Sequence, residues 1–322
     1  MIQYLIVLLD DTSVSFCHYN NTKRDKHIMP IDTLRAGILY AMKQNLSIQF
    51  VYPEYELPAD HQTLIESVEH TSIKSASLHT KADVVVFNNL SQTYNFSFTR
   101  KDLCVLRIDK ECLFEHVEDI CSLLNKVERL NIVITDIETF VDEDFKRYSN
   151  TLRKLSKEVE KIYIKGDSVQ FNLLTDRMML NKMNNCGAGE TCVTLAPDGA
   201  FYACPAFYAE SKEDCIGKLN LPIGNLQVGL SIKNAQLYKL DHAPLCRHCD
   251  AYQCRRCIWL NRKTTYEVNT PSHEQCVVAH LERNASRDLM QSIRKQGTFL
   301  PDFEGIKKIT YLDPFDVRKE WD

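Results

Sequence analysis

The sequence predicts an α/β fold with a mostly parallel sheet, either doubly wound or curved into a partial barrel, followed by a cysteine-rich domain. Three observations predict it. Strand and helix patterns alternate through the first 165 residues, as they do where helices cover a parallel sheet. Of the ten glycines only Gly37 and Gly166 precede residue 186, so no Gly-rich phosphate loop fits in the first half, and a Rossmann or P-loop nucleotide site there is excluded. Nine of the 13 cysteines lie between Cys186 and Cys276. The implied organisation is an α/β domain over 1–180, a Cys-rich domain over 181–280, and a C-terminal helix and tail over 281–322.

The elements follow in order. Tyr4–Leu9 reads as a buried first strand. The apolar opening Met1–Leu9 is short, lacks a basic flank and runs into Asp10-Asp11, so it is neither a signal peptide nor a membrane span. Pro30, Asp32 and Thr33 start a helix that carries Leu34, Ile38 and Met42 on one face. Residues 46–52 form a strand, 61–69 a helix and 83–87, with Val84-Val85-Val86, a buried strand. Residues 104–108 form another strand. One amphipathic helix then carries Leu113, Val117, Ile120, Leu124 and Val127. Residues 131–135 return as a strand. The clearest helix carries Val141, Phe145, Tyr148, Leu152, Leu155 and Val159, and 161–164 closes the series as a strand. Val277–Ile293 is a further helix, and the tail from Gln296 is punctuated by Pro and Asp.

Composition is that of an ordinary globular chain, and a net charge of −4 gives no general attraction to nucleic acid or anionic membrane. With no export signal, the expected compartment is the cytoplasm. In that reducing setting a cysteine cluster binds metal in preference to forming disulfides. The densest stretch, C-R-H-C-D-A-Y-Q-C-R-R-C from Cys246 to Cys257, sets two C-x2-C pairs four residues apart. Four thiolates so spaced suit a tetrahedral metal or an iron–sulfur cube. The full series is Cys186-x5-Cys192-x11-Cys204, then Cys246-x2-Cys249-x4-Cys254-x2-Cys257, then x18 to Cys276. Zinc and iron–sulfur clusters both accept such ligands, so spacing leaves both open.

This series, with Gly199 five residues before Cys204 and Ile223-Gly224-Asn225 ahead of the block, resembles the SPASM domain, the auxiliary-cluster domain of radical S-adenosylmethionine (SAM) peptide-modifying enzymes. The x5 spacing is similar to that of sulfatase-maturating members, which hold two [4Fe–4S] clusters. The resemblance implies one cluster on Cys186, Cys192, Cys204 and Cys257, and another on Cys246, Cys249, Cys254 and Cys276. The block departs from the family, with x4 and x2 in place of x5 and x3. Cys215 has no counterpart in the pattern and reads either as a small buried side chain or as a reactive or substitute ligand.

The same resemblance implies that the first half is a degenerate radical-SAM-like partial (β/α) barrel. The family's C-x3-C-x2-C loop would fall on Asp10, Val14 and Cys17. Valine cannot ligate iron, and one thiolate cannot hold a cube. The G-G-E-P-like segment would fall on Val51-Tyr52-Pro53-Glu54-Tyr55-Glu56, without glycine. No radical SAM cluster and no S-adenosylmethionine are therefore expected. The opening L-I-V-L-L-D-D-T-S-V-S-F-C-H-Y, with this barrel and the cysteine series, resembles the CXXX-repeat peptide maturases. That resemblance implies a Cys-rich precursor peptide as partner, and maturation of that peptide with two auxiliary clusters for electron transfer or support. The alternatives are a non-catalytic recognition subunit serving a partner modification protein, or a zinc-binding structural or interaction protein.

Other residues read more plainly. Cys17-His18 suits loop or core packing before a nucleophile–base pair or a metal-ligand pair. Cys104 and Cys121 fall at core positions. Cys112, at a helix start, is a candidate for a lowered pKa. Glu54 and Glu56 read as solvated acids. Arg247, His248, Arg255 and Arg256 are placed to tune a cluster through charge and hydrogen bonds to sulfur, or to draw an acidic leader peptide.

Overall fold

The computed structural model describes residues 1–210 and 222–306. Cys215 and the tail beyond residue 306 lie outside the described residues. In chain order the strands are β1 (Tyr4–Leu8), β2 (Ser47–Val51), β3 (His70–Ser75), β4 (Val84–Phe87), β5 (Leu103–Ile108), β6 (Arg129–Ile134), β7 (Gln170–Phe171), β8 (Cys192–Leu195), β9 (Phe201–Tyr202), β10 (Gly224–Asn225) and β11 (Gly229–Leu230). The helices are α1 (Ile31–Gln44), α2 (Ala59–Glu66), α3 (Ser91–Tyr94), α4 (Lys110–Glu115), α5 (Val117–Leu124), α6 (Asp142–Ile164), α7 (Thr175–Met178), α8 (Ala206–Ala209), α9 (Ile258–Thr265) and α10 (His273–Gln296). The chain divides into two compact units. The first comprises Met1–Asn88, Gly187–His242 and Ile258–Asn269; the second comprises Asn89–Cys186, Ala243–Cys257 and the chain from Thr270.

In the first unit β4, β3, β2, β1 and β8 run side by side in parallel, and β9 closes on β8 in the antiparallel sense. Parallel strands covered by helices must bury both faces. Accordingly Leu5, Val7, Leu9, Phe50, Val193, Leu195 and Phe201 pack with Leu34, Ile38 and Ala41 of α1. Gly37 lets α1 approach β8: a Cβ there would sit 2.4 Å from the Leu195 side chain. The tight turn from β8 to β9 needs Gly199, whose φ is +76°. Strand β1 lies between β2 and β8, so its carboxyl end opens at a point where the connections diverge to either side. Open α/β sheets place ligands at such a point.

In the second unit β5, β6 and β7 are also parallel. Helix α6 buries Phe145, Tyr148, Leu152, Leu155, Val159 and Ile162 along one stripe. It packs with α10, where the Tyr148 hydroxyl donates to Glu282 at 2.7 Å. Helix α10 starts cleanly because the Ser272 side chain accepts from the Gln275 N–H.

Three sequence expectations are corrected. Residues 161–164 are the last turn of α6, since its apolar stripe runs on to Ile162; the strand that follows is Gln170–Phe171. The helix expected from Leu113 to Val127 breaks into α4 and α5 at His116, whose φ of −109° and ψ of 31° leave helical space. Strand β3 is absent from the sequence pattern, because His70-Thr71-Ser72-Ile73-Lys74-Ser75 has no apolar alternation. Its buried Ser72 donates to Asp83, and its buried Ser75 to Glu54.

Candidate metal centre

The cysteine-rich segment supplies both units. In the second unit Cys246, Cys249, Cys254 and Cys276 line one cavity, together with Arg256, Gln275, Ala279 and His280. The cavity has a volume of about 30 Å³, more than the about 10–15 Å³ that one water molecule needs. Two elements bring the thiols together. Cys246 opens a single 3-10 turn, Cys246–His248, and the chain then loops through Cys249 and Cys254. Cys276 comes from the first turn of α10.

The loop is locked from several sides. Buried Asp250 accepts from Arg283 at 2.7 Å, and its carbonyl accepts from Arg177 at 2.6 Å. Gln253 donates to the Ala279 carbonyl at 2.7 Å and to Glu282 at 3.2 Å. Every one of these ties runs from the loop to α7 or α10.

A buried guanidinium and crowded thiols set the electrostatics of the cavity. Arg256 is 1% exposed, and its Nε donates to Asn185 at 3.0 Å. A buried guanidinium on the wall stabilises thiolate charge. Burial pushes the Cys254 thiol well up, and the neighbouring Cys246 and Cys249 sulfurs push it further. A thiol hindered in this way gives up its proton to a metal or a cluster, which supplies the missing positive charge. The Cys249 sulfur lies 3.4 Å from His280 Nε2 and also accepts from the Ala251 N–H at 3.4 Å.

Among the described residues no three His, Cys, Asp or Glu side chains converge tightly enough to hold a single metal ion. A zinc ion with bonds of about 2.3 Å would draw its thiolates to within about 4 Å of each other. Thiolates that each bind a different corner of a cube stand farther apart.

The other four cysteines divide between the units. In the second, the Cys186 N–H donates to the Arg255 carbonyl at 2.9 Å, which ties Cys186 to the stretch that ends in Cys257. In the first, the β8–β9 register pairs Thr194 with Tyr202 and Leu195 with Phe201. Cys192 opens β8, and Cys204 lies in the bend that follows β9.

The carboxyl end of β1 carries a different chemistry. Asp10 is fully buried, and its carboxylate accepts from the Thr12 N–H at 2.7 Å, the Thr12 hydroxyl at 2.6 Å and the Tyr55 hydroxyl at 2.7 Å. Asp11 accepts from the Tyr208 hydroxyl and pairs with Lys23 at 3.3 Å. Lys23 lies 3.7 Å from the centre of the Tyr208 ring. Val14 is buried, and its N–H donates to the Tyr52 carbonyl at 3.0 Å. Cys17 and His18 sit in a bend of this loop.

Remaining residues fall out as follows. Cys104 and Cys121 are core side chains whose thiols burial pushes up, to about 12 and about 11. Cys112 is also raised, where the helix start suggested the reverse. Burial is the first cause, and Asp109, Glu115 and Asp119 add negative potential that outweighs the helix end. Arg247, His248 and Arg255 are exposed, so Arg256 alone of that group is buried at the cavity. His280 escaped the sequence reading; the available signal was its place one turn beyond Cys276 on an amphipathic helix. No described helix is long and apolar enough to cross a membrane.

No protein-family profile and no curated protein matches the chain. Solved structures do. Hexahistidine-tagged anSMEcpe with bound AdoMet superposes with a TM-score of 0.60 at 13% identity, covering 91% of this chain and 96% of that one. Native anSMEcpe with bound AdoMet and Cp18Cys peptide gives a TM-score of 0.59 at 11% identity, over 92% and 100% of the two chains. Native anSMEcpe with bound AdoMet and Kp18Cys peptide gives 0.56 at 13%, over 90% and 99%. At such identities the likeness establishes architecture, and the chain shares the mixed α/β fold of these structures.

Proposed function

We propose that this protein takes part in maturing a ribosomally made, Cys-repeat precursor peptide, and that it holds two auxiliary [4Fe–4S] clusters without a radical SAM cluster of its own. Cys246, Cys249, Cys254 and Cys276 would hold one cluster. Cys186, Cys192, Cys204 and Cys257 are proposed for the other on sequence order. The observation that carries the reading is the cavity ringed by four cysteines with a buried arginine on its wall. A peptide partner is supported by the Cp18Cys and Kp18Cys peptides bound to the similarly folded anSMEcpe.

Clusters that use all four thiolates leave no iron open to substrate. Their chemistry is then electron transfer, or support of a peptide-binding surface. The loop after β1 favours a second reading, that of a recognition subunit which presents the peptide to a partner modification protein. Its Asp10 and Val14 are engaged by the fold itself and offer no thiolates.

Anaerobic purification followed by iron, sulfide and zinc analysis and an absorption spectrum tests the cluster reading. Brown protein with about eight irons, from two four-iron cubes, supports it. Colourless protein with about two zinc ions overturns it in favour of a structural zinc protein. Incubation of the loaded protein with its peptide, read by intact mass, then separates a maturase from a recognition subunit. A mass change that Cys254→Ala abolishes while peptide binding survives identifies the maturase; binding without a mass change identifies the recognition subunit.

A further inference from the structure

We infer that His280 is a positioning residue for the centre on Cys246, Cys249, Cys254 and Cys276: its Nε2–H donates a hydrogen bond to the Cys249 sulfur and raises the centre's reduction potential. The inference rests on the cluster reading above and deepens it.

Three observations carry it. His280 lies one helical turn after Cys276 on α10, so both side chains leave the same face of a rigid helix and both line the cavity. His280 Nε2 stands 3.4 Å from the Cys249 sulfur, a length suited to a hydrogen bond onto sulfur. The same sulfur accepts a second bond from the Ala251 N–H, at 3.4 Å. Two donors thus converge on one cysteine of the four.

Metal ligation decides the direction of the bond. A ligating cysteine is a thiolate and carries no proton, so it can only accept. The imidazole must then carry its proton on Nε2 and donate it. Hydrogen bonds onto a cluster's sulfurs draw electron density from the iron–sulfur core, which favours the reduced, more negative state. The buried Arg256 on the same wall acts in the same sense through its charge. A complete set of four thiolates leaves the imidazole as a donor beside the cluster, not a ligand on it.

The test uses the full chain, purified anaerobically, as wild type, His280→Ala, His280→Leu and His280→Gln. Leucine fills the space without a donor, and glutamine restores an N–H at similar reach. Iron and sulfide are counted, and potentials are measured by titration followed by electron paramagnetic resonance. The expected result is an unchanged iron count in all four proteins. One of the two potentials shifts negative in His280→Ala and His280→Leu, returns toward wild type in His280→Gln, and the other potential stays constant. Equal potentials in all four proteins overturn the inference while leaving the cluster reading intact. Loss of about half the iron in the Ala and Leu variants, unrescued by Gln, also overturns it, since His280 would then be a ligand or a structural support. Iron-free wild-type protein defeats the cluster reading itself, and the inference with it.

Discussion

The carboxyl end of β1 and the cavity beside α10 are built in opposite ways. At β1 the polar groups satisfy one another. Asp10 is closed off by Thr12 and Tyr55, Asp11 by Tyr208 and Lys23, and the buried Val14 faces the core. At α10 the backbone and the long polar side chains are tied down, while four cysteines line a common cavity. A carboxylate that accepts three hydrogen bonds is a finished piece of structure. The Cys254 thiol, pushed up by burial and by the Cys246 and Cys249 sulfurs beside a buried guanidinium, belongs to a site that the proposed cluster would complete.

The largest effect that would break this contrast is on metal content. Cys254→Ala is expected to remove about four of eight irons from anaerobically purified protein, whereas Asp10→Ala removes none. Equal losses in the two variants would erase the distinction. The double change Asp10→Cys with Val14→Cys, which rebuilds C-x3-C-x2-C with Cys17, is expected to leave the iron count unchanged. A third cluster, with reductive cleavage of S-adenosylmethionine, would show that the loop had lost nothing but its ligands.

A second measurement compares buried carboxyls. Burial pushes Glu282 up from its ordinary 4.5 to about 7, and the hydrogen bonds from Tyr148 and Gln253 only partly oppose it. The folded state therefore holds a proton that the unfolded state releases. The resulting stability is fully present below about pH 4.5 and is lost as pH rises through 7. The loss amounts to about 3 kcal/mol, from about 1.4 kcal/mol per pK unit. Denaturant unfolding at pH 5 and pH 8 should show this slope in wild type and a flatter one in Glu282→Gln. Parallel slopes would remove Glu282 as its source.

At β1 the corresponding change is Asp10→Ala, which strands the Thr12 and Tyr55 donors. It is expected to destabilise the protein by about 1–3 kcal/mol in the same assay. The smallest effect concerns the sheet beneath that loop. Gly37→Ala sets a methyl 2.4 Å from the buried Leu195 side chain. Overpacking of about 1–3 kcal/mol is offset by about 1 kcal/mol of helix propensity, for a net loss of about 1 kcal/mol. A gain in stability would mean that α1 can shift on β8.

Much of this is legible in the residues. Val84-Val85-Val86 and the stripe from Phe145 to Val159 name their elements, because burial of one face writes a period into the chain. What fails is what tertiary contacts decide. Strand β3 is held by Asp83 and Glu54 bonding its serines, which no local pattern records. The last turn of α6 looks like a strand because four residues cannot distinguish the two periods. At the site, Cys246, Cys249, Cys254 and Cys276 stand out by spacing, and the structure places them around one cavity. Cys112 departs from expectation because burial and its acidic neighbours Asp109, Glu115 and Asp119 outweigh its helix position.

By itself the sequence determined which residue types are on hand and in what order. It set nine cysteines in one stretch, left a single cysteine where the radical SAM loop would need three, and wrote the alternating pattern of the sheet. These are properties of residue type and short-range order, and they survive whatever the chain does at long range. Only the tertiary structure decided which groups meet. The packing of α10 on α6 buries Glu282, and Cys276 and His280 of α10 line one cavity with the upstream loop and its buried Arg256. Burial and proximity are collective properties of the packed chain, and they convert a cysteine-rich segment into a cavity with a charge, a shape and a hydrogen-bond donor aimed at one sulfur.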